Sequence, residues 1–344
     1  NQQRPTNNIQ TSPQLPSAIN NRPPAQPFNP QPFVPPSNNN QQNNQQQFQT
    51  PRPVQGIGIG SQPLVETDST NLNNARCGMR YPEDGGDGNT FFISVVGGKD
   101  AILGDWPWTA ALGYRGPSGS NRPRFLCGGA LITPMHVLTA AHCVAHRSDL
   151  YLVRLGEIDL ANDTDSAVDI EILRSVVHEQ YDRRRRTSDI AILTLSSRAP
   201  DNFAIHQICL PTLVDEKLLN DGNLFAVGWG ATIYEGNTSQ ILQEVGIPHV
   251  EVAECRESYS AFPNQIIDER TICAGYPLGE KDVCSGDSGG PLMLKKTDIS
   301  TGDAVITYHI VGVVAYGFRC AEPGYPGVYT RVTSFLPWIR ANIS

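Results

Sequence analysis

Asp282-Val-Cys-Ser-Gly-Asp-Ser-Gly-Gly-Pro291 is the stretch on which the reading of this chain turns. It sets one candidate nucleophile, Ser288, in a tight run with Gly286 before it and Gly289 and Gly290 after it. Residues without a Cβ let backbone N–H groups approach a developing oxyanion. Two acids accompany the serine, Asp287 beside it and Asp282 six residues upstream. An unactivated hydroxyl is a poor nucleophile, so the stretch requires a base, and a group to orient that base, elsewhere in the chain.

Working outward, a base candidate is His142 in Leu138-Thr-Ala-Ala-His142-Cys143. Imidazole titrates closest to neutrality and suits proton transfer there. Taken alone, His142 reads equally well as a packed structural side chain. An acid candidate, Asp189, enters the apolar run Ser188-Asp189-Ile-Ala-Ile-Leu. A buried carboxylate needs donors, which an imidazolium and nearby backbone N–H groups would supply. Alone, Asp189 also reads as a turn cap. The order His, Asp, Ser favours nucleophilic catalysis over three separate structural roles.

The chain has 344 residues, 8 cysteines and a formal net charge of −8. Its acidic balance argues against a nucleic-acid partner, since phosphate recognition needs a basic surface. No apolar run is long enough to span a bilayer. The start, Asn1-Gln-Gln-Arg-Pro5, lacks the pattern of a signal peptide, and one is expected to have been removed already. An even cysteine count with no CxxC pair favours disulfides over zinc or free thiols, and so an oxidising, extracellular setting. Asn162 and Asn237 each open an Asn-X-Ser/Thr glycosylation triplet.

Two textures divide the chain. Residues 1–76 are rich in Pro, Gln and Asn, with an unbroken Asn/Gln tract at 38–47. Such a composition does not offset the entropy of ordering, so a disordered arm acting as a spacer is expected. Residues 77–94 form a linker that carries Cys77. From Val95 onward, short β-type runs such as Tyr151-Leu-Val-Arg-Leu and Ile190-Ala-Ile-Leu-Thr-Leu alternate with turn signals. Helical spacing appears only at the end, where Phe335, Leu336, Trp338, Ile339 and Ile343 share a face. An all-β domain over 95–344 with a short C-terminal helix follows.

Further motifs fall in a fixed order: Val95-Val-Gly-Gly, Trp106-Pro-Trp, Cys127-Gly-Gly, Thr139-Ala-Ala-His142-Cys143, Asp189-Ile-Ala, Gly228-Trp-Gly, Cys273-Ala-Gly, Gly286-Asp-Ser-Gly-Gly-Pro and Pro326-Gly-Val-Tyr-Thr. On these, the chain resembles the trypsin/chymotrypsin-like serine proteases from Val95 to its end. The wording around Cys284 and Ala321-Glu-Pro-Gly-Tyr-Pro-Gly is most similar to arthropod clotting, immune-cascade and venom members. The resemblance implies two six-stranded antiparallel β-barrels with the active site between them. It implies a triad of His142, Asp189 and Ser288, and an oxyanion hole from the N–H groups of Gly286 and Ser288. Asp282 matches the floor of a pocket for Arg or Lys, with Gly317 and Gly327 as its walls. Cys127–Cys143, Cys255–Cys273, Cys284–Cys320 and a propeptide tether Cys77–Cys209 are the implied pairs. Protein substrates cut after Arg or Lys, macromolecular inhibitors and a monomeric state belong to the same expectation.

The activation signal is implied likewise: cleavage before Val95 frees an amine that pairs with Asp287. Ser94 stands where cascade members usually place Arg or Lys, so an activator of non-tryptic specificity is expected. Ala315 replaces a serine that helps hold the triad aspartate, and Tyr316 replaces a tryptophan. Arg183–Arg186 reads as a solvated loop or a self-cleavage site, or as a basic rim favouring acidic residues or polyanions. No cofactor is required. Glu157 and Asp165, with Asp159 and Asp163 nearby, match a calcium loop with shorter spacing than in binding members. A silent protease homologue acting as a cascade cofactor is the alternative, and a scaffold led by the Asn/Gln-rich arm a third.

Overall fold

The computed structural model describes residues 77–80, 98–116, 122–162, 167–221, 224–231, 236–279, 286–299 and 304–344. The arm and most of the linker, including Ser94 and Val95, lie outside the described residues, as do Asp163, Asp165, Asp282 and Cys284. All described residues belong to one unit, Glu66–Ser344.

A short strand β1 (Lys99–Asp100) precedes the first half of the fold. That half is built from β2 (Thr109–Tyr114), β3 (Arg124–Thr133), β4 (His136–Thr139), β5 (Leu150–Leu155), β6 (Val168–Val177) and β7 (Ala191–Leu195). They close into an antiparallel barrel in the order β2-β3-β4-β7-β6-β5. Closure leaves no open edge, and it buries all six residues of β2. β7 is an apolar run, and its Ala191, Ile192, Leu193 and Leu195 are buried.

The second half contains β8 (Leu224–Gly228), β9 (Gln243–Gly246), β10 (His249–Val250), β11 (Thr271–Ala274), β12 (Pro291–Asp298), β13 (Val305–Tyr316) and β14 (Gly327–Arg331). With β1 they form an eight-stranded sheet in the order β1-β9-β8-β12-β13-β14-β11-β10. Only Ile247 and Pro248 separate β9 from β10, and Pro248 has no N–H to keep the ladder going. The run 243–250 therefore pairs with β8 through β9 and with β11 through β10. Counted this way the sheet returns on itself as six strands, and β1 is an addition outside β9.

Short helices complete the unit: α1 (Ala141–Val144), α2 (Val252–Ser258) and α3 (Leu336–Ile343). Pro337 sits in the first turn of α3, where its missing N–H costs nothing. Leu336, Ile339 and Ile343 are buried on one face of α3, whereas Trp338 turns its indole N–H to Glu179. The largest core joins both halves, from Leu112 and Ile192 to Met293 and Val313. Fully buried Trp108 marks the seam, its Nε1 lying 2.9 Å from Met293 Sδ.

Disulfides Cys127–Cys143, Cys255–Cys273 and Cys77–Cys209 are formed. Cys320 is disulfide-bonded as well. The tether is more than a covalent link. Gly78 N–H donates to Gln207 O at 2.8 Å, and Tyr308 N–H donates to Gly78 O at 2.8 Å. Gly78 has φ +66°, and a Cβ there would lie 2.3 Å from Tyr308 O, so glycine is required. Arg80 then lies over the Trp106 ring at 4.0 Å.

Asp215 is buried behind β12 and β13, with Lys296 Nζ at 2.9 Å and His309 Nδ1 at 3.0 Å. Burial alone would raise its pKa. His309, Lys296 and the Thr212 amide outweigh burial and hold it far below the usual carboxylate range. A depressed folded pKa means a stabilisation present above the ordinary carboxylate range and lost as pH falls through the folded value. Asp215→Asn would leave Lys296 with an uncompensated charge. We expect it to cost about 3 kcal/mol in urea denaturation at pH 7, and less in acid where the wild type has lost the same pair.

Candidate active site

The barrel brings base and acid together by register. β4 and β7 pair antiparallel with Thr139 opposite Ala191, so the residues after β4 meet those before β7. His142 is in α1 just past the end of β4, and Asp189 stands two residues before β7. His142 binds the carboxylate at two points. Its backbone N–H donates to Asp189 Oδ1 at 2.8 Å, and its Nδ1 lies 2.7 Å from Oδ2. With Nδ1–H donated to a carboxylate, Nε2 carries the free lone pair. Asp189 is 4% exposed, while the imidazole is partly open to solvent.

The second half holds the acid from behind. Thr330 of β14 donates its hydroxyl to Asp189 O at 2.9 Å. Ser188 is buried with φ +51°, a strained conformation for a residue with a Cβ. Arg270, itself paired to Asp268, reaches Ser188 Oγ at 3.4 Å. Ala315, read from the sequence as replacing a serine, is buried and has no hydroxyl to donate. The side-chain oxygen of its neighbour Tyr316 is buried without a hydrogen-bond partner among the described residues. Burial pushes the Tyr316 phenol up to about 12, against the opposing pull of Arg186, so it stays neutral.

Ser288 lies in the turn between Gly286 and β12, backed against the first half. Its carbonyl accepts from Gly128 N–H at 2.8 Å, and Cys143 Sγ, next to His142, lies 3.6 Å from the same oxygen. Gly289 has φ +80°, and a Cβ there would lie 2.2 Å from Thr139 Oγ1. Its N–H donates to Val314 O at 2.9 Å, which fixes the turn to β13. The Ser288 carbonyl thus lies beside Cys143, the residue after His142, whose ring is held by Asp189.

Asp287 turns away from this cluster into the second half. It is buried, and its Oδ1 accepts from Gly230 N–H at 2.7 Å. A Cβ on Gly228 would lie 2.0 Å from Asp287 Oδ1, and one on Gly230 would lie 2.2 Å from Oδ2. The Gly-Trp-Gly motif is therefore a cradle for this carboxylate, a role not visible in the motif itself. Gly317 and Gly327 flank the open end of the β13–β14 pair, next to the Tyr316–Val328 partners. Asp282, read with them as the floor of a pocket, lies outside the described residues.

Glu157 is buried, with Oε2 3.2 Å from Arg154 NH1 and Oε1 accepting from the N–H groups of Ile158 and Asp159. Asp165, the other acid read as a calcium ligand, lies outside the described residues. Among the described residues, the one cluster with metal-ligand spacing is Cys127, His142 and Cys143. Both cysteines are in a disulfide, so no thiolate is available there. No helix among the described residues is long and apolar enough to cross a membrane. Thr330, Arg270 and the Gly228/Gly230 cradle escaped sequence reading. For Thr330 the available signal was its place in the Pro326-Gly-Val-Tyr-Thr motif.

This fold and site are those of a serine protease. A family model described as Trypsin matches residues 95–339. The chain is 44% identical over 262 residues to the venom serine protease Bi-VSP of Bombus ignitus, covering 74% of this chain and 70% of the relative. It is 46% identical over 251 residues to a venom protease of Bombus pensylvanicus, covering 70% of this chain and 96% of the relative. Against the proclotting enzyme of Tachypleus tridentatus, identity is 38% over 296 residues, covering 82% of this chain and 75% of the relative. The chain belongs to the trypsin family.

Proposed function

We propose that the chain is the precursor of a secreted endopeptidase that cuts proteins after Arg or Lys, in an extracellular cascade such as clotting or innate immunity. The observation that carries the catalytic part is the two-point bond between His142 and Asp189 beside the Ser288 turn. In the reaction, Ser288 Oγ attacks the scissile carbonyl carbon and its proton passes to His142 Nε2. The carbonyl oxygen becomes an oxyanion facing the N–H groups of Gly286 and Ser288. His142 then gives its proton to the departing amine, leaving an acyl-serine that water hydrolyses by the same steps. Asp189 keeps the imidazole in the tautomer that can accept and stabilises the imidazolium.

Asp282 at the floor of the pocket, with Gly317 and Gly327 at its walls, selects a long cationic side chain. Activation is cleavage between Ser94 and Val95 by a protease that is not trypsin-like. The new α-amino group of Val95 pairs with Asp287, whose side chain is already turned into the Gly228/Gly230 cradle. The product is a light chain ending at Ser94, held through Cys77–Cys209. Secretion fits the disulfides, and Asn162 and Asn237 are exposed, as glycan acceptors must be. The venom and clotting relatives support an extracellular role.

A second reading is favoured by one observation. Ala315 offers Asp189 no hydroxyl, which suits a catalytically weak homologue serving as a cascade cofactor. The deciding experiment introduces an efficient cut before Val95 by Ser94→Arg and assays Arg-, Lys- and Phe-ending peptides. Turnover of Arg and Lys peptides over Phe supports the first reading. A correctly cut, folded and inert protein supports the second.

No cofactor is needed in this reading, and Glu157, engaged by Arg154, does not fit as a calcium ligand. Excess EDTA is expected to move the thermal midpoint by less than about 1 °C, because a ligand that does not bind the native state cannot stabilise it. A larger fall reversed by calcium would put a calcium site back into the account.

A further inference from the structure

We propose that Arg186 reads an acidic side chain on the polypeptide being cleaved, near the cut bond; this rests on the protease reading above. Arg183–Arg186 forms a held turn. Asp182 and Thr187 exchange backbone hydrogen bonds of 3.1 and 3.3 Å across it. The Asp182 carboxylate accepts the N–H groups of Arg184 at 2.8 Å and Arg185 at 3.0 Å. Ile266 N–H, from the second half, donates to Arg185 O at 3.1 Å. The side chains are long, but the backbone that presents them is fixed.

Position ties the turn to the chemistry. Arg186 is three residues before Asp189. Its guanidinium lies over the Tyr316 ring, 4.6 Å from the centroid. Tyr316 in turn is two residues beyond Val314, whose carbonyl holds Gly289 next to Ser288. Arg186 therefore bridges the two halves at the rim of the site. Stacking on an aromatic face leaves the N–H edges of the guanidinium free to grip a carboxylate bidentately.

Charge favours an anion here, although the whole chain is acidic. All four arginines of the turn are exposed. Among the described residues only Arg185 has a carboxylate partner, Asp182 at 3.8 Å. Two other acids share the surroundings of Tyr316 with Arg186, and both are engaged: Asp268 by Arg270 and Asp189 by His142. The basic region is one turn at the cleft rather than a long track, which suits a single acidic side chain better than an extended polyanion.

The test uses the protein cut before Val95 and peptides with Arg before the cut bond, in which Glu is walked through the three positions preceding that Arg and the four positions after the bond. Each rate is compared with the Ala peptide. A Glu on one side is expected to raise kcat/KM by about tenfold, the scale of a charge-assisted contact at a partly exposed site. Arg186→Ala should abolish that ratio. Arg198→Ala, an equal charge loss beyond the far end of β7 from Asp189, should leave it unchanged. An equal Glu/Ala ratio in wild type and Arg186→Ala would overturn the proposal, as would a gain equally reduced by Arg198→Ala. So would heparin binding lost in Arg186→Ala with no peptide preference. None of these results alters the protease reading, which fails only if the Ala peptides are not cut.

Discussion

Ser288→Ala, made in the form cut before Val95, is expected to lower kcat on an Arg-ending peptide by about a million-fold with KM little changed. Removing the nucleophile of a comparable triad has an effect of that order. The geometry gives the reason. Ser288 is fixed by the bond its carbonyl accepts from Gly128 N–H and by the bond Gly289 N–H donates to Val314 O, neither of which uses the hydroxyl, so losing Oγ leaves the turn intact. Binding and oxyanion stabilisation survive and account for the residual rate over water, roughly a thousand-fold or more in such enzymes. His142→Ala should fall about as far, and the double variant no further, because the two groups act as one unit. Steady-state kinetics of the three variants checks this. Near-additive losses would mean that base and nucleophile work independently.

Asp189→Asn is the second large effect, about ten-thousand-fold in kcat if the triad works as others do. The two bonds to His142 predict how the asparagine would sit. His142 N–H needs an acceptor and takes the amide oxygen at the Oδ1 position. The amide N–H₂ is then left facing Nδ1, which must become an acceptor. The ring proton moves to Nε2, the atom that should receive the serine proton. Thr330 still holds the backbone at Asp189, so the fold should survive. The check is a large loss in kcat beside a thermal midpoint within about 3 °C of wild type, roughly 1 kcal/mol for a domain of this size. A loss of both would make Asp189 chiefly structural.

Much of this site was legible because the residues that do the chemistry lie in short, ordered motifs. The neighbourhood of His142 and Asp189 was not a matter of motif alone. It follows from two apolar runs, His136–Thr139 and Ala191–Leu195, becoming adjacent antiparallel strands in one barrel. What stayed hidden involves contacts with no local trace. Thr330 meets Asp189 across 141 residues, and Gly230 meets Asp287 across 57. A glycine cradle looks like any turn until the carboxylate that fills it is in place. The ion pair between Arg154 of β5 and Glu157 likewise left no trace in the sequence pattern. The second sheet was readable as strands. The way run 243–250 serves both of its ends depends on Pro248 and on pairings no single strand reveals.

The central claim is that Ser288, activated by His142, becomes acylated. Treating the protein cut before Val95 with a fluorophosphonate, which captures an activated serine covalently, and mapping the adduct by peptide mass spectrometry tests it most directly. The account predicts one adduct, on Ser288, that disappears in His142→Ala. A correctly cut and folded protein that takes up no reagent, or carries it on another residue, would contradict it.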